Sequence, residues 1–193
     1  MMEEESEDHL SLRREEIVAL SSIYEELQLN ADGLSGTVVI PIEPDKPVPI
    51  ACGEREGTVK FLPGIEFIFS TSTGYPETEP PSVSLKCIWL SDERLQSLRE
   101  DIISLIWMST NDLCLFDLVD EISERSKNVF GLEFLDISEQ VFDELVIFSE
   151  RQQTKIFEQG VYYCEVCLEN KKGVDSFKLP RCGHIFCKVH IFH

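Results

Sequence analysis

The segment YPETEPP, residues 75–81, decides the fold of this chain. A proline disfavours the helical conformation of the residue before it, so Pro76 is expected to keep Tyr75 extended. Prolines lack the amide hydrogen that a β-ladder requires, so Pro80 and Pro81 prevent a strand from beginning inside the segment. The segment therefore predicts a stiff loop that presents the ring of Tyr75 to a neighbouring sheet.

Short strands are predicted on both sides of this loop. In residues 82–90, SVSLKCIWL, apolar side chains alternate with polar ones, which is typical of a half-buried strand in an antiparallel sheet. Residues 37–42 and 65–69 are rich in β-branched and aromatic side chains, and residues 59–61 are similar. Three further strands are therefore predicted at these positions.

Apolar side chains at spacings of three and four residues predict four helices around the strands. These helices cover residues 9–29, 91–108, 111–122 and 138–158. The apolar stripe of the second helix consists of Leu95, Leu98, Ile102 and Leu105. A helix, a run of strands and then further helices is an α+β order, in which helices pack on an antiparallel sheet. We therefore predict one α+β module over residues 8–128 and a helical connector over residues 129–160.

The charge of the chain is concentrated before its cysteine-rich end. The sequence holds 36 acidic and 17 basic side chains, a net charge of −19. Residues 1–163 carry a net charge of −21 and residues 164–193 a net charge of +2. Residues 1–163 are acidic enough to repel phosphate backbones, and we therefore expect no nucleic acid as a partner.

The chain also lacks the signals of a membrane or secreted protein. The N-terminus MMEEESEDHL has no apolar region of the kind found in signal peptides, and no apolar run approaches about 18 residues. Without a secretory signal, the seven cysteines are expected to stay reduced. We therefore expect no membrane span, and a location in the cytoplasm, the nucleus or both.

Four of the seven cysteines cluster with two histidines in one short segment. Two thiolates spaced as in C-x2-C can hold one tetrahedral zinc ion at about 2.3 Å each. A redox role for this pair would need a strand-to-helix context of the thioredoxin type, which the sequence lacks. Zinc is therefore the predicted cofactor. The candidate ligands are Cys164, Cys167, Cys182, His184, Cys187 and His190.

Tyr75, Pro76, Pro80 and Pro81 match the YPxxxPP signature of RWD domains. The order of predicted elements and the opening helix EEIVALSSIYEEL fit the same family. The resemblance implies an antiparallel sheet with packed helices, similar to the fold of ubiquitin-conjugating enzymes. It also implies that residues 8–128 bind another protein, whose identity the sequence does not give.

The series C-x2-C-x14-C-x-H-x2-C resembles the first two-thirds of a RING finger. Together with the RWD signature and the connector, it makes the chain similar to RING-between-RING ubiquitin ligases of the ring finger protein 14 type. Such fingers bind two zinc ions in a crossed arrangement. The resemblance assigns one site to Cys164, Cys167, Cys187 and His190, where most such fingers have a cysteine in place of the histidine. Cys182 and His184 begin the other site.

In this family the first RING recruits the ubiquitin-charged conjugating enzyme, and Val166 would belong to the docking surface. A cysteine in a second RING-like domain then accepts ubiquitin as a thioester. Residues 161–193 match only the N-terminal part of such a finger, and the 193 residues contain no segment that resembles the catalytic-cysteine domain. We therefore expect a truncated ligase that binds the conjugating enzyme more weakly and is inactive alone. The alternative is a non-enzymatic RWD adaptor, or a dominant-negative protein that occupies the partners of the ligase.

Two other classes of function fit the sequence less well. A conjugating enzyme needs an exposed cysteine after an HPN-like turn, but no HPN occurs, and Cys87 and Cys114 lie in apolar surroundings. A nucleic-acid-binding finger would use Cys164, Cys167, His184 and His190. Here 16 residues would separate the second cysteine, Cys167, from the first histidine, His184, whereas such fingers have about twelve residues between them.

Overall fold

The computed structural model describes residues 7–179 and 182–190, without the side chains of residues 7, 8 and 190. Its helices are α1 Glu7–Ile23, α2 Asp92–Thr110, α3 Leu115–Ser126 and α4 Glu139–Gln159. Its strands are β1 Gln28–Leu29, β2 Ser35–Ile42, β3 Val48–Cys52, β4 Arg55–Val59, β5 Leu62–Ser70, β6 Ser82–Lys86, β7 Leu135–Asp136, β8 Val161–Cys164, β9 Glu169–Lys172, β10 Ser176–Lys178 and β11 Ile185–Cys187. Short 3₁₀ turns cover Val129–Gly131, Gly173–Asp175 and Lys188–His190.

The central sheet is antiparallel, in the order β1-β2-β5-β6. Alternate residues of β2 and β5 point into the core, where Ile40 pairs with Ile65 and Val38 with Phe67. Helices α2 and α3 cover this face with buried side chains such as Ile102. The predicted α+β class, an antiparallel sheet with packed helices, is therefore confirmed.

The YPETEPP loop lies between β5 and β6. The peptide bond between Tyr75 and Pro76 is cis, and the ring of Tyr75 is fully buried in the core. The indole N–H of Trp107 donates to the carbonyl oxygen of Pro76 at 2.7 Å, so α2 holds the loop. Strand β6 begins at Ser82, directly after the two prolines, as predicted.

Three predicted helix features are wrong. The third helix begins at Leu115 rather than at residue 111, because Asn111 ends α2 in the left-handed conformation. Helix α1 ends at Ile23 rather than Leu29, because Gln28 and Leu29 pair with β2 as the edge strand β1. Leu105 is exposed, although its spacing assigned it to the apolar stripe of α2. The core that this helix covers ends near Ile102, so the last turns of α2 extend beyond it.

A second sheet, in the order β4-β3-β7, joins the helical connector to the rest of the fold. Strand β7 pairs in parallel with β3, and the first half of α4 packs on β3, β4 and β5. Phe142 and Leu145 of α4 are buried in the same core cluster as the central sheet. The predicted boundary at residue 128 therefore does not coincide with the end of the hydrophobic core.

Within the described residues, no helix combines the length and the apolar character that a membrane span requires.

Candidate metal centre

The first cysteine pair lies on a hairpin formed by β8 and β9. Cys164 is the last residue of β8, and Cys167 lies in the turn that follows. The amide of Leu168 donates to the carbonyl oxygen of Cys164 at 2.8 Å, and Leu168 has a positive φ of 59°. This tight turn brings the two thiols to the same side of the hairpin.

A second hairpin, formed by β10 and β11, supplies the third thiol. Cys187 ends β11, and the sulfur atoms of Cys164, Cys167 and Cys187 all lie within 4.8 Å of one another. The Sγ atoms of Cys167 and Cys187 are 3.9 Å apart. Zinc–sulfur bonds of about 2.3 Å in a tetrahedron place sulfur atoms about 3.8 Å apart. The three thiols therefore fit one tetrahedral zinc ion, which would need one further ligand.

Backbone amides prepare this cluster for a cation. The pKa of Cys164 is lowered to about 6 because the amides of Cys167 and Cys187 point at its sulfur, the latter at 3.4 Å. The pKa of Cys167 is raised, chiefly because its thiol is removed from water. Cys164 is thus a thiolate near neutral pH, the form in which cysteine binds metals.

The remaining predicted ligands are not part of this cluster of three. Cys182 and His184 are exposed on the β10–β11 turn, where their side chains interact with each other. A hydrogen bond between the side chains of Cys182 and His184 lowers the pKa of Cys182 and raises the pKa of His184. The backbone of His190 lies in the 3₁₀ turn directly after Cys187, but its side chain lies outside the described residues. Its role as a ligand stays a prediction.

The cluster does not match the ligand set of a two-Cys two-His finger. That alternative requires His184 beside Cys164 and Cys167, whereas the described residues place Cys187 there. The crossed order expected from the RING resemblance, in which the first pair meets Cys187, agrees with this arrangement.

The end of α4 supports the finger through a contact that sequence analysis missed. The amide of Gly173 donates to the carbonyl oxygen of Gly160 at 2.8 Å. A Cβ atom at Gly173 would lie 1.7 Å from the carbonyl oxygen of Phe157, so only glycine fits there. The rings of Phe157 and Tyr162 stack at 4.7 Å between their centroids. The finger and α4 are therefore closely packed.

A second group that the sequence did not reveal surrounds Tyr75. Its hydroxyl donates to the carboxylate of Glu16 at 3.0 Å and accepts the amide hydrogen of Cys114 at 2.7 Å. The same carboxylate accepts the amide hydrogen of Leu115 at 2.8 Å, at the start of α3. Burial raises the pKa of Glu16. The signature tyrosine therefore fastens α1 to the beginning of α3, and its role is structural.

The thiols of Cys87 and Cys114 in the RWD module are unsuited to holding a thioester. Burial raises the pKa of Cys87 to about 11 and that of Cys114 to about 12. Nucleophilic cysteines need a lowered pKa and access to the substrate, and Cys114 is buried. These values argue against a conjugating enzyme.

Comparison with known proteins agrees with the motifs. The chain is similar to the E3 ubiquitin-protein ligase itt1 of Schizosaccharomyces pombe, with 28% identity over 97% of this chain and 46% of that protein. It is 20% identical to RNF14 of Danio rerio, over 93% of this chain and 49% of the relative, and 22% identical to human RNF14, over 95% and 51%. The chain thus spans about half the length of the curated relatives it matches.

The predicted resemblance to ligases of the ring finger protein 14 type is therefore confirmed. The family model of the RWD domain matches residues 11–126, more than half of the chain. This match contains the YPETEPP loop and the Glu16–Tyr75 contact. The chain belongs to the RWD domain family.

Proposed function

We propose that this chain is part of an E3 ubiquitin-protein ligase, in which the RWD domain binds a protein partner and the cysteine cluster binds zinc within a RING finger. The observation that carries this proposal is the cluster of Cys164, Cys167 and Cys187, whose sulfur atoms lie within 4.8 Å. The grouping of the first cysteine pair with Cys187 is the one expected for the first zinc site of a RING finger, and the similar proteins are ubiquitin ligases.

Zinc would stabilise the finger and would take no part in a chemical step. Cys164, Cys167 and Cys187 would hold it, with His190 as the fourth ligand of the same site. Cys182 and His184 would contribute to the second site. Structural zinc sites have four protein ligands, so the first site is the one that these residues can complete.

The finger would recruit a ubiquitin-charged conjugating enzyme. Val166 lies in the turn between Cys164 and Cys167 and is more than half exposed. An exposed apolar side chain on a rigid, metal-held turn is suited to binding another protein. The exposed position of Val166 in this turn supports its proposed role in binding the conjugating enzyme.

Residues 1–193 would act by binding and not by transferring ubiquitin. The thiols of Cys87 and Cys114 have raised pKa values, and those of Cys164, Cys167 and Cys187 would be bound to metal. Under this proposal the chain acts as an adaptor in the cytoplasm, the nucleus or both, and transfer belongs to a cysteine outside these residues.

Zinc stoichiometry tests the metal site directly. Native mass spectrometry of the 193-residue chain should find about one zinc ion per molecule, because one set of four ligands is available. Cys187→Ser should abolish binding, since it removes a ligand, whereas Cys52→Ser on β3 should leave the metal content unchanged. A chain that folds with no metal, or that loses zinc equally in both variants, would contradict the site.

Recruitment is tested by binding of ubiquitin-charged conjugating enzymes to the same chain. Val166→Ala should weaken binding by about tenfold, the effect of losing one apolar anchor at an interface. Val174→Ala, an exposed position elsewhere on the finger, is the matched control. In a reconstituted ubiquitination assay, chain formation by residues 1–193 alone would show that they do more than bind.

A further inference from the structure

An open groove of about 670 Å³ lies where the RWD sheet meets α4. One wall is the end of α1, the floor is the outer face of β2 and β5, and the other wall is α4. Helix α4 lies outside the region that the RWD family model matches, so the groove combines the domain with its connector. Its volume is within the range of sites that take a ligand or a peptide side chain, about 300–1,000 Å³.

The groove exposes large apolar side chains from all three elements. Ile23 of α1 is 55% exposed, Val39 of β2 is 44% exposed and Ile156 of α4 is 52% exposed. Phe61 and Phe148 also contribute to the lining. Isolated exposed apolar residues are common, but several that converge on one concave surface mark an interaction site.

Gly64 keeps the floor of the groove open. A Cβ atom at this position would lie 2.6 Å from Cγ1 of Val39 and 2.7 Å from the carbonyl oxygen of Ile40. These distances are shorter than van der Waals contact, so a larger residue would push β2 and β5 apart. The shape of the groove floor therefore depends on the absence of a side chain at Gly64.

The rim of the groove is acidic. Glu25, Glu26 and Glu43 line it and are exposed, and no lysine or arginine is among the lining residues. None of the ion pairs found among residues 7–179 and 182–190 involves these three carboxylates. An apolar floor beside three carboxylates favours a ligand that carries both apolar groups and positive charge.

We infer that this groove binds a segment of a partner protein in which large apolar side chains are flanked by lysine or arginine. The inference rests on the proposed role of the RWD domain in binding a protein, and it names the surface and the chemistry of the partner. The acidic stretch MMEEES at the start of this chain would be repelled by the same rim. A nucleic acid is disfavoured for the same reason.

Peptide binding to the 193-residue chain tests this assignment. The probe is a fluorescent twelve-residue peptide of alternating leucine and lysine. One control peptide replaces lysine with glutamate, and another replaces leucine with serine. Binding by fluorescence anisotropy should be at least about tenfold weaker for both controls, because each removes one half of the recognition. Equal binding of the leucine and serine peptides would show that the peptide binds only by non-specific charge attraction. The proposal that the groove binds apolar side chains would then be wrong.

Substitutions in the groove locate the binding surface. Ile156→Glu and Val39→Lys should each weaken binding of the leucine–lysine peptide by about tenfold, the usual effect of losing an anchor residue. Met108→Glu, at an exposed apolar position of α2 outside the groove, should not. Glu25→Lys with Glu26→Lys should reverse the preference, so that the leucine–glutamate peptide binds more tightly. The assignment would be contradicted if Met108→Glu lost peptide binding. It would also be contradicted if neither Ile156→Glu nor Val39→Lys weakened peptide binding.

The same variants separate this inference from the proposed ligase function. Ile156→Glu should retain about one zinc ion per chain and its affinity for the charged conjugating enzyme, since the groove contains no proposed metal ligand. If zinc and conjugating-enzyme binding persist while no peptide binds, the groove assignment alone fails. If the zinc site fails while the peptide still binds with the expected preference, the ligase proposal fails and the groove remains.

Discussion

The hydroxyl of Tyr75 links segments of the chain that are far apart in sequence. It donates to Glu16 on α1 and accepts from the amide of Cys114, next to the start of α3. Tyr75 is fully buried, so the hydroxyl depends on these partners for its hydrogen bonds. Such a group stabilises the fold only while all its partners are present.

Tyr75→Phe should destabilise the protein by about 1–3 kcal/mol, because the amide of Cys114 loses its acceptor and the carboxylate of Glu16 loses a donor. The ring is retained, so little packing is lost. Urea unfolding of the wild-type and variant chains measures the difference. Tyr163→Phe, at an exposed tyrosine, should stay within about 0.5 kcal/mol of the wild type. Equal effects of the two changes would show that the buried hydrogen bonds contribute nothing.

Glu16 provides a pH dependence whose sign can be derived. Burial raises the pKa of its carboxyl, so the folded state binds the proton more tightly than the unfolded chain does. The stabilisation from this proton is complete below the ordinary pKa and is lost as pH rises through the raised pKa of the folded state. The wild type should therefore exceed a Glu16→Gln variant in stability by more at about pH 4 than at about pH 8.

Urea unfolding of both chains over this pH range tests the prediction. Other titrating groups are common to the two proteins, so the difference between their free energies of unfolding isolates Glu16. A difference that is constant with pH, or that grows as pH rises, would contradict the raised pKa. Near neutral pH the single amide oxygen of the variant can still accept from both Tyr75 and Leu115, as Oε1 of Glu16 does, but without the negative charge that strengthens these hydrogen bonds.

Sequence analysis identified Tyr75 but not its partners, for a physical reason. The proline pattern around Tyr75 is local and fixes the loop, whereas Glu16 resembles the other glutamates of the acidic helix α1. Only the tertiary fold brings its carboxylate to the start of α3, where the helix presents unpaired amide hydrogens. Local sequence is also insufficient for Cys187. Its spacing from Cys164 does not predict that the two thiols lie close together, and the RING resemblance is what implies it.

At the scale of elements, periodicity succeeded where an element begins with a clear apolar stripe or alternation that is buried. The strand after YPETEPP and the helices from Ser91 and Ser138 have clear patterns and serine caps, and they begin as predicted. The misses are elements whose sequence carries little pattern. Strand β7 has two residues, and β3 begins within the proline-rich residues 41–50, where no strand is predicted. Strand β3 forms by pairing with β4 over its whole length, and β7 forms by pairing with β3.

The contact between the finger and α4 can be tested at Gly173. Gly173→Ala places a Cβ atom 1.7 Å from the carbonyl oxygen of Phe157, so the 3₁₀ turn must move away from the helix end. Overpacking of this kind costs about 1–3 kcal/mol. Hydrogen exchange should become faster at Gly160 and Tyr162, while zinc content and the protection of β2 and β5 stay unchanged.

The neighbouring Val174→Ala is the matched control, because its side chain is exposed and makes room without a clash. Unchanged exchange at Gly160 in the Gly173→Ala chain would show that the finger is not held against α4. A simultaneous loss of zinc would instead mean that this contact also shapes the cysteine cluster.

For the whole molecule, the two ends of the chain differ in what stabilises them. The RWD module and the first half of α4 share one continuous apolar core, from Ile17 to Leu145. In the finger, the buried hydrophobic residues among those described from 161 to 190 are Cys164 and Cys187. Val161, Tyr163, Leu168 and Phe177 are exposed. Burial of apolar surface therefore stabilises the module, whereas the finger depends on another source of free energy.

Metal removal should consequently affect only one part of the protein. Binding of structural zinc supplies several kcal/mol to a small finger, and without it Cys164, Cys167 and Cys187 lose the ion that would hold the two hairpins together. After treatment with a chelator, hydrogen exchange should accelerate throughout β8 to β11 but stay slow in β2 and β5. Zinc, but not magnesium, should restore the protection, because thiolates are poor ligands for magnesium. If β2 and β5 lose protection as well, the finger stabilises the module. If β8 to β11 remain protected without metal, the close approach of Cys167 and Cys187 has a cause other than zinc.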